Sequence, residues 1–279
     1  MDTRPIGFFD SGIGGLSILR ATRRLLPAES MLYLADNAHF PYGALDAGAL
    51  RELASRLTAY LLARDAKLIV VACNTATVHT LAYLRTAFPE VPFVGVVPVV
   101  KPLAELTRKR VIAVMATPAT AESQYLARLI AEHAAGCSVV IIPCPGLADL
   151  VESGRATSAE LNAVLESLLD SVRESGADVL GLGCTHYPLI RARIQRLMGP
   201  EARVIDSGDA VARRVCAVLD ERDALSADSP ASYSLYSTGD PSSLARAARR
   251  YLRLPPTTVA RIDVPRIEDL GSGRSEPRI

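Results

Sequence analysis

The chain has 279 residues, 49% of them hydrophobic and 22% charged, with a formal net charge of +1. That length can bury a sizeable core and suits two α/β units better than one. The near-neutral balance excludes a global attraction to nucleic acid or to anionic membrane, and the lack of Trp with only 5% aromatics argues against stacking platforms for bases.

No apolar run reaches the length of a membrane span, and the opening MDTRPIGFFDSGIGG lacks the basic and apolar regions of a signal peptide. The cysteines are Cys73, Cys137, Cys144, Cys184 and Cys216. Their number is odd and none forms a C-x-x-C pair, so a reduced cytoplasmic protein is expected rather than a disulfide framework.

In chain order, strands are predicted at Ile6–Asp10, Met31–Ala35, Lys67–Ala72, Phe93–Val97, Arg110–Ala116, Ser138–Ile142, Asp178–Gly183 and Arg203–Ile205. Helical patterns lie between them at Gly15–Leu26, Asp46–Arg64, Thr75–Phe88, Ala119–Ala134, Ser158–Glu174 and Leu189–Leu197. This βαβα rhythm predicts the α/β class, with mainly parallel sheets flanked by helices. The runs LIVVA and DVLGLG are apolar on both faces of the pleat, as buried parallel strands are. The rhythm breaks near Val97–Pro102 and again near Asp206–Asp209. Two lobes are therefore expected, one discontinuous from residues 1–98 and 208–279, the other from 99–207. The polar tail from Gly271 is expected to be disordered.

The segments LIVVACNTATVHTLAYLR and VLGLGCTHYPLIRARIQ echo each other as strand, Cys, polar residues, helix. Two such units suggest pseudo-symmetric lobes. In open parallel sheets ligands bind at the carboxyl ends of strands, where Cys73 and Cys184 both fall, each before a predicted helix. A helix N-terminus stabilises a thiolate, so both thiols are expected to titrate lower than usual and to suit proton transfer. A Cys beside an apolar strand is more often core, and only the repeated setting lifts these two above the other three.

Asn74, Thr75 and Thr185 can cap a helix or donate to a carboxylate. His186 can orient or protonate a thiol, or be an ordinary loop histidine. The loop Asp10-Ser11-Gly12-Ile13-Gly14-Gly15 resembles a dinucleotide fingerprint, but Ser17 stands where its last glycine belongs. Two other readings stay open: glycines that admit a ligand carboxylate to backbone N–H groups, and Asp10 as a helix cap. Tyr42 and Gly43 form a turn whose hydroxyl can bind a carboxylate or pack. Glu152 can pair with His186 or be a solvated helix residue.

Taken together, FFDSGIGGL, YLADNAHFPYG, VACNTA, ATPATAESQY, CPGLADLVESG, GLGCTHYPL and VIDSGDAVA resemble bacterial glutamate racemases of the aspartate/glutamate racemase superfamily, over about residues 5–220. The resemblance implies a site between two α/β lobes and interconversion of L- and D-glutamate for peptidoglycan synthesis. It implies Cys73 and Cys184 as the two bases, with Asp10, His186 and Glu152 completing the catalytic set. It implies that Asp10, Ser11, Tyr42, Gly43, Asn74, Thr75, Thr185 and His186 contact glutamate. No metal and no cofactor are implied. A small-molecule substrate is the expected partner, with no nucleic acid and no membrane, and a homodimer stays open. Two departures stand out: Val97 where many members carry Glu, and His39 where members often differ.

Overall fold

The computed structural model describes residues 2–154, 159–226, 230–253 and 259–264. Ser158 and the tail from Gly271, for which the sequence carried expectations, lie outside the described residues.

Ten strands form two wholly parallel sheets among the described residues. The strands are β1 (Ile6–Asp10), β2 (Met31–Ala35), β3 (Leu68–Val71), β4 (Phe93–Gly95), β5 (Val111–Ala116), β6 (Ser138–Pro143), β7 (Val179–Leu182), β8 (Arg203–Asp206), β9 (Tyr233–Ser237) and β10 (Val259–Arg261). The first sheet has the order β10-β9-β2-β1-β3-β4 and the second β6-β5-β7-β8. The first four strands of each thus follow one pattern, second-first-third-fourth. In that pattern the chain reverses direction between the first and third strands, and the crevice beyond their carboxyl ends is where open α/β sheets bind ligands.

Every residue of β1, β2, β3 and β7 is buried. Side chains alternate across the pleat, so each central strand feeds two cores. Phe8, Tyr33 and Val70 point to one side of the first sheet, while Phe9, Leu34 and Val71 point to the other. In the second sheet Ala113 and Met115 face one core and Ile112 and Val114 the other.

The eight predicted strands all form, with ends shifted by no more than two residues. β9 and β10 were not anticipated: Tyr233–Ser237 is short, follows a polar stretch, and is held by pairing with β2. The predicted helix Ala119–Ala134 is two helices, Pro118–Ala121 and Gln124–His133, because the Ser123 hydroxyl caps the second by accepting from Leu126 N. The predicted Leu189–Leu197 helix is preceded by a 3-10 turn, Tyr187–Ile190, carrying Pro188. No helix among the described residues is long and apolar enough to cross a membrane.

Candidate active site

β1 and β3 end side by side, and their loops carry Asp10-Ser11 and Cys73-Asn74-Thr75. β7 ends opposite with Cys184-Thr185-His186. Both cysteines line one cavity of about 330 Å³, together with Ser11, Tyr42, Gly43, Asn74, Thr75, Thr185 and His186. That volume falls at the small end of the range of roughly 300–1,000 Å³ typical of ligand pockets.

The two sulfurs have different settings. Cys73 is the N-cap of the helix Asn74–Ala87, and its Sγ lies 4.0 Å from the Ser11 hydroxyl. Ser11 Oγ in turn donates to Asp10 Oδ1 at 3.0 Å, and Thr185 Oγ1 donates to Asp10 Oδ2 at 3.1 Å. Cys184 Sγ lies 3.8 Å from His186 Nδ1, and His186 Nε2 meets Glu152 Oε2 at 2.8 Å.

Electrostatics follow burial. Desolvation pushes the Cys73 thiol well above its ordinary range, and the Asp10 charge pushes it further, against a backbone hydrogen bond from Ala76. This corrects the expectation of a lowered Cys73 pKa: the helix N-terminus is present, but burial outweighs it. Burial likewise raises Asp10, which is wholly enclosed. For His186 burial works toward the neutral ring, yet its hydrogen bonds to Cys184 and Glu152 prevail and hold its pKa well above the usual value. The helix expected immediately after Cys184 is likewise corrected: a 3-10 turn with Pro188 follows, so the dipole argument applies to Cys73 alone.

The glycines explain how the two halves approach so closely. A Cβ on Gly12 would stand 2.3 Å from Glu152 Oε2, and one on Gly14 would stand 2.5 Å from His186 Nδ1. The space that a dinucleotide fingerprint would keep for a phosphate is filled by the protein's own carboxylate and imidazole. Glu152 also accepts from Ile13 N at 2.8 Å. Asp36, just after β2, is buried and already accepts from Tyr42 and Thr238. The loop therefore serves inter-sheet packing.

A family model described as Asp/Glu/Hydantoin racemase matches residues 16–215, a span that includes both cysteines. The chain belongs to this family. It is 45% identical over 254 residues to the glutamate racemase of Roseiflexus sp. (strain RS-1), covering 90% of this chain and 93% of that one. The crystal structure of glutamate racemase isoform RacE1 from Bacillus anthracis superposes with a TM-score of 0.84 at 31% identity, covering 95% of this chain and 99% of the other. That of Francisella tularensis glutamate racemase in complex with D-glutamate gives 0.82 at 26% identity, with the same coverage of each chain.

Within this racemase fold, two residues expected to touch substrate or do chemistry stand back from the cavity. Asp10 lies behind Ser11 and Thr185, and Glu152 behind His186. Sequence reasoning missed Phe40, whose ring centre is 5.5 Å from that of His186, and Thr117, whose hydroxyl is 3.5 Å from that of Thr75 on the facing wall. It also missed Asn37, which bonds Glu152. Thr117 was legible as a helix cap after β5, a strand end matching that of Asp10; the other two sit in short turns with no periodic signal. Cys144 reaches the cavity wall, but its Sγ donates to the Ile142 carbonyl at 3.2 Å and burial lifts its thiol to about 12.

Proposed function

We propose that this protein interconverts L- and D-glutamate by moving a proton across Cα between Cys73 and Cys184, supplying D-glutamate for peptidoglycan. The observation that carries this reading is the pair of cysteines at matching strand ends of two sheets, lining one cavity, each with its own proton partner. Removal of a proton from one face and return to the other requires a group on each side, and fixing both beside one carbon removes the entropic cost of bringing them there.

Burial keeps Cys73 as a thiol, ready to give a proton. On that face Ser11 links the sulfur to Asp10, a buried carboxyl whose raised pKa makes its ionised form a stronger base. On the other face His186, beside Cys184 and held by Glu152, carries the proton that its sulfur gains or loses. Asn74 supports an anionic ligand: both amide atoms are buried and neither has a protein partner among the described residues. A buried amide left in this state favours a ligand that satisfies it. Backbone N–H groups at the start of the Asn74–Ala87 helix offer a second carboxylate anchor.

Purified protein mixed with pure L- or pure D-glutamate, without added cofactor, should lose optical activity and reach the same racemate from both sides. Aspartate, one methylene shorter, should racemise at least about tenfold more slowly. Stable optical rotation of both glutamate enantiomers would overturn the reading, and faster loss with aspartate would reassign the substrate.

A further inference from the structure

Glu152 is the joint between the two sheets. It lies on the short helix Leu147–Glu152 after β6, yet the positions of its three partners among the described residues are set elsewhere: Ile13 N after β1, His186 after β7, and Asn37 after β2. Oε2 is shared between Ile13 N and His186 Nε2, each at 2.8 Å. Oε1 receives Asn37 Nδ2 at 2.7 Å. Asn37 is itself fixed, because its Oδ1 accepts the Ser237 hydroxyl at 2.9 Å from the end of β9. A terminal carboxylate torsion is broad and soft, so one hydrogen-bonded oxygen leaves the group free to swing. Two pinned oxygens fix the plane of the carboxylate and so the direction in which it meets the imidazole.

We infer that Asn37, oriented by Ser237, is a positioning residue that holds the Glu152 carboxylate in line with His186 and so sets proton transfer on the Cys184 face. This rests on the racemase reading above. Asn37 does not line the cavity, so it acts through Glu152 and should leave substrate binding almost untouched. The groups that face this cluster are His186 across the joint, Asp10 at the end of β1, Tyr33 in the middle of β2, and Asp36 and His39 on the turn of Asn37 itself. None of these except His186 bonds Glu152.

Two variants separate positioning from packing. Asn37→Ala removes the donor and should lower kcat on the order of tenfold, with KM within about twofold, because a hydrogen bond to a charged group carries roughly that weight. Asn37→Asp is nearly isosteric and keeps the acceptor for Ser237, but sets a second carboxylate against Glu152. Like charges at that range raise the pKa of the pair. Asn37→Asp should therefore lose more than Asn37→Ala at pH 8, and regain activity relative to wild type as the pH falls and the new carboxyl becomes a donor. Asn37→Ala should show no such recovery.

Should the Asn37 variants fold poorly, Ser237→Ala loosens the same amide from behind, with a loss of a few-fold in kcat expected at unchanged KM. NMR titration of His186 reads the joint without turnover, and its midpoint should move upward in Asn37→Asp. Parallel pH profiles for the two variants, or an unmoved His186 titration, would overturn the inference. A wild type that leaves glutamate optically unchanged would instead overturn the functional reading, while the His186 titration still tests the joint.

Discussion

The two cysteines occupy matching positions in two sheets of matching strand order, yet their surroundings share almost nothing. Cys73 caps an α-helix, touches a serine, and has a buried carboxyl behind it. Cys184 precedes a 3-10 turn, touches a histidine, and has a carboxylate behind that. Topology thus dictates where the two sulfurs stand, while the loop residues set what each one meets. In the proposed mechanism one face works through an acid with a raised pKa, the other through an imidazole whose pKa is also raised.

The largest expected effect ignores this difference. Cys73→Ser and Cys184→Ser should each cut racemisation by about a thousandfold or more, since a positioned acid or base contributes up to roughly 10⁴-fold and serine is a far weaker one. Near-normal turnover in either variant would leave a one-base path.

Smaller changes should expose the difference. Enantiomers have equal free energy, so kcat/KM must be the same in both directions for every variant, and rates alone cannot tell the faces apart. Isotope effects can. His186→Gln slows transfer at Cys184, so the Cα-deuterium effect on kcat/KM should grow for the enantiomer whose hydrogen faces Cys184 and shrink for its mirror image. Ser11→Ala should do the reverse. A shift toward the same enantiomer in both variants would break the assignment of partners.

How much of this was legible in the sequence differs between scaffold and site. The central strands were readable because runs such as LIVV and VLGL are buried on both faces, and burial of that kind demands continuous apolar sequence. Cys73 and Cys184 were readable because strand ends recur in a pattern. The glycine loop was ambiguous for a physical reason: glycine signals close approach, not what approaches. Gly12 and Gly14 admit Glu152 and His186, residues more than 130 positions away. Asn37 was invisible for the same reason, its partners Glu152 and Ser237 being brought to it by the fold. The raised Cys73 pKa was misjudged because the sequence shows the helix start but not the depth of burial.

The smallest expected effect concerns stability. The pKa of His186 is raised in the folded state, so the pair with Glu152 stabilises the fold fully below the unfolded histidine value of about 6.5. That contribution is lost as the pH rises through the higher folded value. The difference in Tm between wild type and His186→Gln should be largest between about pH 5 and 6.5 and shrink on the alkaline side. A difference that grows with pH would contradict the ion pair.

The most direct measurement is the origin of the hydrogen on Cα. In heavy water, at early times, D-glutamate formed from L-glutamate should carry solvent deuterium while the remaining L-glutamate keeps its hydrogen, and the mirror experiment should give the mirror result. Product that retains the substrate's own hydrogen, or deuterium entering substrate as fast as product, would contradict two opposed thiols.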